Sequence, residues 1–202
     1  MSLFRVPVII QSIYRSRQWK GAGKDGVYLT FDDGPEEKTT KWLLDILKRE
    51  NIKATFFCLG KQIENHPVLF QKILDNGHAI GNHTFNHEKG SITECKQYID
   101  SIVKTDDLMS SRLFRPPYGR LNWKQSKSVK KLGKKIIMWT WNSHDYDQHM
   151  KEETIIKKAA LIKGGDILLF HSSINSANQM MNCLPQIIRI IKKKNLVFKT
   201  LA

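Results

Sequence analysis

The sequence predicts an α/β protein built around a parallel sheet, because short apolar runs alternate along its 202 residues with longer amphipathic segments. The apolar runs are rich in β-branched and aromatic residues, which favours buried strands. Such an alternation is compatible with an incomplete (β/α) barrel or with a doubly wound sheet. The predicted strands are Val27–Phe31, Ala54–Leu59, His78–Gly81, Leu113–Arg115, Ile136–Trp141, Ile167–Phe170 and Leu196–Lys199.

The segments between these strands carry helical patterns. Apolar residues recur at helical spacing in Thr40–Glu50, and Thr39 before them is a suitable N-cap. Pro67–Asn76 is followed by Gly77, the residue type preferred just after a helix. The remaining predicted helices are Ile92–Ser110, Trp123–Leu132, Glu152–Ile162 and Gln179–Lys194.

Composition places the chain among ordinary globular proteins. Hydrophobic residues make up 41% and charged residues 26%, which argues against a disordered chain. We find no internal boundary and expect one domain over residues 1–202. The cysteines Cys58, Cys95 and Cys183 form no CxxC pair, so reduced thiols are expected.

The strong positive charge narrows the class of partner. Lys and Arg number 33 against 19 Asp and Glu, a net charge of +14. This balance favours an anionic partner such as nucleic acid, an anionic glycan or a membrane surface. A basic binding domain without hydrolase activity is therefore an alternative function. We find neither a groove-docking motif nor aromatic residues interleaved with basic patches, so we expect electrostatic association with an anionic surface and no specific nucleic acid.

The amino-terminal segment carries only a short apolar piece, Val6–Ile10, which Pro7 interrupts and Arg15 and Arg17 soon follow. It is too short for a membrane span and lacks the core and cleavage site of a signal peptide. The sequence as written therefore predicts a cytoplasmic protein. An export signal on an upstream segment stays compatible with this prediction.

Two adjacent carboxylates end the first predicted strand. In VYLTFDDGP, Asp32 and Asp33 stand directly before the turn signal Gly34-Pro35. The carboxyl ends of parallel strands face the active site in both predicted architectures. One Asp is enough to cap a turn, and two neighbouring carboxylates repel each other. The second Asp therefore indicates a metal ion or a cationic side chain as its partner.

His83 and His87 stand four residues apart, directly after the third predicted strand. If a helical turn begins there, both imidazoles lie on one face. A histidine pair alone is more often structural, but with one carboxylate it forms a three-ligand site with open positions, typical of catalytic metals. Zinc is the expected ion for nitrogen-rich ligation, and the same triad type also binds ferrous iron in oxygenases.

Further polar residues follow the later strands. Arg115 and Tyr118 lie in FRPPYG, Asp145 and Tyr146 in MWTWNSHDYD, and His171 ends DILLFH. Taken singly, Arg115 could form a surface salt bridge and His171 could be a buried structural histidine. The five segments share one predicted sheet edge, however, and this favours a functional site.

The motifs TFDDGP, HTFNH, RPPY, W-x5-D-aromatic and L-x-H, in this order, closely resemble those of the NodB-homology polysaccharide deacetylases of carbohydrate esterase family 4. The resemblance spans roughly residues 27–171. It implies a distorted, incomplete (β/α) barrel that removes acetyl groups, most often N-acetyl, from an amino-sugar polysaccharide such as peptidoglycan or a chitin-like glycan. The alternative of a ferrous oxygenase is less suitable, because such an enzyme would need neither His171 as a proton donor nor a second aspartate.

The resemblance also assigns roles to individual residues. Asp33, His83 and His87 match the ligands of one divalent metal ion, with zinc expected. Asp32 matches the general base, and Arg115 matches the cation that pairs with it.

The remaining matches concern the leaving group and the acyl pocket. His171 matches the general acid and Asp145 the acid that orients it, while the backbone N–H of Tyr118 matches an oxyanion donor. Tyr146 and Leu169 match the walls of the acetyl pocket. The chain departs from the family where Trp is usual and this chain has Tyr146, and where a further Asp is common and this chain has Asn142. Both positions border the acyl and sugar subsites, so they bear on specificity.

Overall fold

The computed structural model describes residues 3–202. Within these residues, the strands are β1 (Gly26–Asp32), β2 (Thr55–Cys58), β3 (Ala79–Asn82), β4 (Leu113–Phe114), β5 (Lys135–Ile136), β6 (Trp141–Asn142), β7 (Ile167–His171) and β8 (Val197–Phe198). The helices are α1 (Val8–Ile13), α2 (Glu37–Arg49), α3 (Gly60–Asn65), α4 (Pro67–Asp75), α5 (Cys95–Asp106), α6 (Trp123–Lys131), α7 (Glu152–Lys158) and α8 (Ala177–Lys193). Short 3-10 turns lie at Pro117–Gly119, Ala159–Leu161 and Ile174–Ser176.

The strands form one curled parallel sheet. Its order is β5-β4-β3-β2-β1-β7-β6, and β8 pairs with the start of β1. Among residues 3–202 no pairing joins β5 to β6, so the barrel is distorted and incomplete, as predicted. In the register of the central strands, Asp32 stands opposite both Phe57 of β2 and His171 of β7. The parallel pairing therefore brings the ends of three neighbouring strands to one edge.

The amino-terminal segment lies along the chain that links β5 to β6. The backbone N–H of Val6 donates to the carbonyl of Thr140, and that of Gln18 donates to Ile136. Arg5 forms an ion pair with the buried carboxylate of Asp166, with an N–O distance of 2.6 Å. These contacts cover an edge that would otherwise expose unpaired backbone groups.

The alternation of side chains along β1 explains how the sheet places the acidic residues. Val27, Leu29 and Phe31 belong to the large buried cluster that includes apolar residues of α2 and α8. Successive side chains of a strand point to opposite faces, so Thr30 and Asp32 point to the other side of the sheet, into the barrel. The carboxylate of Asp32 therefore lies inside the curled sheet, between the neighbouring strands.

One predicted strand is wrong, because Ile136–Trp141 is two strands, β5 and β6, rather than one. Its backbone changes partners: the N–H of Ile137 donates to Phe114 of β4, whereas the N–H of Thr140 donates to Ile167 at the start of β7. The chain crosses from one side of the open sheet to the other within these residues. The apolar pattern continues through the crossing, so it gave no sign of the change.

Three predicted helices also need correction. Helix α2 begins at Glu37, and the side chain of Glu36 rather than Thr39 caps it by accepting from the N–H groups of Lys38 and Thr39. The Thr39 hydroxyl instead donates to the carbonyl of Ser172. The predicted helix Ile92–Ser110 is shorter at both ends, and Glu152–Ile162 finishes as a 3-10 turn.

The sequence patterns did not predict α1 and α3, which have six residues each. A helix of fewer than two turns shows too little periodicity to detect, and α1 has no buried residue at all. The three cysteines are free. In the part of the chain that the structure describes, no helix is both long and apolar enough to cross a membrane.

Candidate active site

An open groove with a volume of about 930 Å³ lies at the carboxyl edge of the sheet. Two of the ten predicted site residues, Arg115 and Asp145, are fully buried and lie beneath it. The other eight line it: Asp32, Asp33, His83, His87, Tyr118, Tyr146, Leu169 and His171.

The predicted metal ligands converge at the floor of this groove. The Oδ1 atom of Asp33 lies 3.5 Å from Nε2 of His83 and 3.3 Å from Nε2 of His87. One potential ligand atom of each residue lies within 4.8 Å of the others. Two atoms bound at 2.0–2.1 Å to a tetrahedral zinc ion are about 3.4 Å apart. The same Asp33 oxygen is buried and accepts no hydrogen bond from the described residues, so the donor set fits a divalent ion.

The backbone, rather than a helical turn, brings the two histidines together. Thr84 and His87 adopt left-handed conformations, with φ angles of 67° and 63°. The side chain of Asn82 accepts a hydrogen bond from the N–H of Thr84 at 2.8 Å and so stabilises the loop. The expected helical turn after β3 is therefore wrong, although the two rings lie together as that expectation required, with centroids 5.1 Å apart.

Hydrogen bonding and burial hold both histidines ready to bind a cation. The Nδ1 atom of His83 lies 2.8 Å from the carbonyl oxygen of Arg115, which can only accept, so Nδ1 donates to it and Nε2 is the nitrogen that lies beside Asp33. Burial is the main cause that lowers the pKa of His87 to about 4, so its imidazole is neutral near pH 7.

The carboxylate of Asp33 stays ionised beside these histidines. Burial alone would raise its pKa, but the close contact with His83 and the charges of His171, His83 and His87 outweigh burial and lower the pKa. The triad therefore presents one anionic oxygen and two imidazole nitrogens, a combination of ligands that suits zinc.

The second aspartate has a different set of contacts. Oδ1 of Asp32 accepts a 2.7 Å hydrogen bond from Nη1 of the fully buried Arg115. Its other oxygen, Oδ2, lies 3.8 Å from Nε2 of His83, beside the ligand triad. The same Arg115 nitrogen also donates to the hydroxyl of Thr30, and the guanidinium carbon lies 4.1 Å from the centre of the Phe57 ring. Arg115 thus fixes one oxygen of Asp32 and leaves the other facing the groove.

On the opposite side of the groove, His171 pairs with the buried carboxylate of Asp145. Nδ1 of His171 lies 2.7 Å from Oδ1 of Asp145, and the backbone N–H of His171 donates to Oδ2 at 2.9 Å. The hydroxyl of Ser143 donates to Oδ1 as well, at 2.8 Å. Burial lowers the pKa of His171, but the charge and hydrogen bond of Asp145, helped by Asp33 and Asp32, outweigh it and raise the pKa to about 9. The imidazole is therefore protonated near neutral pH.

Left-handed backbone conformations are concentrated around the groove. Asp33 and Tyr118 have φ angles of 78° and 58°, like Thr84 and His87 in the ligand loop. Such conformations are unfavourable for residues with a side chain and persist where the surrounding structure imposes them, often at functional sites. The ring of Tyr118 packs against His87, with centroids 4.6 Å apart, so this turn also supports a predicted ligand.

The residues predicted to wall the acetyl pocket lie next to His171. Leu169 is buried two residues before it on β7, and Tyr146 is half exposed, with its ring centroid 5.2 Å from that of His171 in an edge-to-face arrangement. The two positions that depart from the family pattern contact each other, because the Tyr146 hydroxyl lies 3.5 Å from Nδ2 of Asn142. The same hydroxyl lies 3.2 Å from Nδ1 of His144.

Sequence reasoning missed three supporting residues, Thr30, Asn82 and Ser143. Thr30 precedes Asp32 by two positions and so shares its face of β1, a signal that the strand period contained. Asn82 directly precedes the first histidine, and Ser143 precedes Asp145 by two positions. Short polar side chains at these spacings often bond to nearby backbone or acidic groups.

Comparisons with known proteins agree with this geometry. The sequence profile described as polysaccharide deacetylase matches residues 20–137. A peptidoglycan-N-acetylglucosamine deacetylase of Bacillus cereus is 32% identical over 188 residues, covering 87% of this chain and 86% of that protein. A chitooligosaccharide deacetylase of Bradyrhizobium sp. is 30% identical over 157 residues, covering 74% of this chain and 72% of that protein.

A solved structure is also closely similar. The crystal structure of a peptidoglycan N-acetylglucosamine deacetylase superimposes with a TM-score of 0.88 at 30% identity, covering 97% of this chain and 95% of that one. The chain belongs to the polysaccharide deacetylase family, the family that its motifs resemble. These similarities do not favour the alternative of a basic binding domain without hydrolase activity.

Proposed function

We propose that this protein is a metal-dependent hydrolase that removes N-acetyl groups from an amino-sugar polysaccharide, either peptidoglycan or a chitin-like glycan. The observation that carries the proposal is the joint placement of three parts in one groove. These are the Asp33–His83–His87 triad, the carboxylate of Asp32 beside it, and the protonated His171 opposite. The names of the similar proteins support both the reaction and the two substrate types.

The triad is the proposed site of one divalent ion, with zinc the expected metal. When bound, such an ion supplies a Lewis acid that polarises the acetyl carbonyl and makes a water molecule more acidic. Asp33, His83 and His87 contribute one negative charge between them, so they neutralise the ion only partly. A bound ion would therefore remain partly positive towards a substrate in the groove.

Asp32 is the proposed general base. Its Oδ2 atom faces the groove beside the ligand nitrogens and is free to take a proton from the attacking water. Oδ1 cannot serve, because Arg115 occupies it at 2.7 Å. The buried guanidinium also supplies a positive charge beside a carboxylate that stands next to Asp33.

His171 is the proposed general acid. An amide nitrogen leaves poorly as an anion, so it needs a proton as the carbon–nitrogen bond breaks. The Nδ1 proton of His171 is engaged by Asp145 at 2.7 Å, which leaves Nε2 to deliver a proton to the departing amine. The carboxylate also stabilises the protonated imidazole before the transfer.

Three further residues are proposed to hold the substrate. The backbone N–H of Tyr118, in the left-handed turn above the triad, would donate to the oxygen that becomes negative during attack. Tyr146 and Leu169 would enclose the acetyl methyl group next to His171. A pocket of this kind accepts a small apolar acyl group and excludes longer ones.

Acetate release from defined substrates tests the proposal. The substrates are N-acetylglucosamine oligomers, peptidoglycan and O-acetylated xylan, each measured before and after treatment with a chelator. We expect acetate from at least one of the two amino-sugar substrates, loss of this activity with chelator, and its recovery when zinc is returned. Acetate released from xylan alone would refute the N-deacetylase assignment, and full activity in the chelated protein would refute the metal dependence.

A further inference from the structure

The net positive charge of the chain comes from two stretches of sequence. Residues 1–24 contain 5 Lys and Arg and residues 108–144 contain 9, and neither stretch contains Asp or Glu. Removing these 14 from the total of 33 leaves 19 basic residues, equal to the 19 acidic residues of the chain. The rest of the protein is therefore neutral, and the whole net charge belongs to these two stretches.

The two stretches lie against each other in the fold. Nη1 and Nη2 of Arg17 lie 3.4 Å from the carbonyl oxygens of Gly119 and Leu121, respectively. The N–H of Gln18 donates to the carbonyl of Ile136 at 2.8 Å, and Trp19 belongs to the buried cluster that contains residues of β4, α6 and β5. The two stretches are therefore in contact, and we call them together the basic flank: residues 3–24 and 108–144 as the structure describes them.

The basic flank exposes apolar side chains as well as cations. Helix α1 has no buried residue, and Val8, Ile9 and Ile13 are 73%, 70% and 68% exposed. Trp123, at the start of α6, is 72% exposed. Exposed apolar residues scattered singly are ordinary, but a helix that buries none of its isoleucines indicates a surface that meets an apolar partner.

The lysines of α6 are available for an external partner. Lys124, Lys127, Lys130 and Lys131 are exposed on this nine-residue helix, which carries no acid. Among the described residues none of these four lysines forms a salt bridge with an acidic side chain. Their charge is therefore uncompensated within the protein and directed to solvent.

We propose that the basic flank is a membrane-docking surface, which binds the surface of a bilayer containing anionic lipids. The exposed isoleucines of α1 and the uncompensated lysines of α6 match what an interfacial surface offers: apolar side chains that enter the acyl boundary, and cations that meet anionic headgroups. Trp123 is the type of residue that concentrates at headgroup level. A nucleic acid or an anionic wall polymer would satisfy the cations but would offer no hydrocarbon layer to α1.

The position of the flank relates it to the proposed active site. Arg17 contacts the backbone of Gly119, the last residue of the turn Pro117–Gly119, and of Leu121 just after it. Tyr118 of this turn and Arg120 after it line the groove. A bilayer bound at the flank would therefore hold the groove near the membrane surface, where it would meet glycan close to the bilayer.

Vesicle flotation with the full chain tests the inference independently of any deacetylase activity. We expect binding to vesicles of phosphatidylcholine mixed with phosphatidylglycerol, much weaker binding to pure phosphatidylcholine, and partial release at high salt. The double variant Ile9→Ser/Ile13→Ser should bind the mixed vesicles at least about tenfold more weakly, because it loses most of the apolar area that enters the lipid. Lys127→Gln/Lys131→Gln should also weaken binding and reduce its dependence on salt.

Matched variants outside the flank control for nonspecific effects. Val68→Ser removes a side chain that is 71% exposed on α4, and Lys193→Gln removes a charge from α8; both should bind the vesicles like the parent chain. No binding to mixed vesicles would overturn the inference. Binding that the lysine changes weaken and the isoleucine changes leave intact would also overturn it, and would instead indicate a surface for soluble polyanions.

Discussion

The Asp145→Asn substitution tests how this fold would make His171 an acid. Asp145 is fully buried, and both of its oxygens bond to His171, through Nδ1 at 2.7 Å and through the backbone N–H at 2.9 Å. Asparagine keeps the size of the side chain and can still accept one of these hydrogen bonds. The substitution therefore removes the negative charge while it disturbs packing little.

The structure sets the size of the expected change. The pKa of His171 rises from the ordinary 6.5 to about 9, although burial acts in the opposite direction. A rise of this size corresponds to about 3 kcal/mol in favour of the protonated imidazole. Asp145 is the largest cause that raises the pKa, ahead of Asp33 and Asp32. Without its charge, burial has weaker opposition, and we expect the pKa to fall by about 2 pH units.

An NMR titration of the metal-free protein measures this pKa directly. The parent chain should show a His171 imidazole that titrates near pH 9, and Asp145→Asn should bring the midpoint close to 6.5 or below. Ser143→Ala is the matched control, because it removes one hydrogen bond to Asp145 and keeps the charge, so the midpoint should move much less. In the active enzyme, the alkaline limb of the pH–activity profile should move to lower pH in Asp145→Asn.

The free energy of unfolding should also depend on pH through the raised pKa of His171. The pKa of His171 is higher in the folded than in the unfolded metal-free chain. The protonated imidazole therefore stabilises the folded state fully below about pH 6.5, and this stabilisation is lost as pH rises through about 9. Asp145→Asn should abolish most of this dependence over the same window in urea unfolding. A His171 midpoint that stays near 9 in Asp145→Asn, or moves as far in Ser143→Ala, would refute this explanation of the raised pKa.

Four further substitutions separate the proposed roles. Asp32→Asn should keep the metal and lower turnover by about a hundredfold to ten-thousandfold, the usual effect of removing a general base. Loss of the metal in this variant would instead indicate that Asp32 is the ligand and Asp33 the base. His83→Ala should lower metal content measured by elemental analysis, and unchanged content would contradict its assignment as a ligand. His171→Ala should slow amide substrates far more than activated aryl acetates, whose leaving group needs no proton; equal losses would argue against a general acid. Arg115→Met should lower the free energy of unfolding by about 3–5 kcal/mol, because it leaves the buried charge of Asp32 unpaired, and an unchanged urea midpoint would contradict this.

The pattern of apolar runs in the sequence predicted most of the strands correctly. Strands β1, β2 and β7 are buried along most of their length, so their sequences are largely apolar runs that can be recognised without a structure. The run from Ile136 to Trp141 misled because apolar residues also fill the crossing between β5 and β6. Hydrophobicity reports burial, and it does not report which neighbouring strand accepts a hydrogen bond.

The site was predictable to the extent that parallel strands end at one edge. This rule, with the family motifs, led to Asp32, Asp33 and His171, and the register of β1 and β7 places Asp32 opposite His171. It did not lead to the left-handed loop that orients His83 and His87, because that backbone depends on the tertiary contacts of Asn82. The hydroxyl of Thr30 was missed for the same reason, because its partner Arg115 is distant in sequence. Ser143, in contrast, bonds to Asp145 only two residues away.

Titration of metal into the metal-free chain, with acetate release from an N-acetylglucosamine substrate as the readout, tests the central claim most directly. The Asp33–His83–His87 triad is the cluster from which we infer one ion for each chain. Activity should therefore rise in proportion to added zinc and stop rising at one equivalent, while Asp33→Asn should need far more metal for any activity. Deacetylation that is complete before metal is added, or that shows no break at one equivalent, would contradict the account.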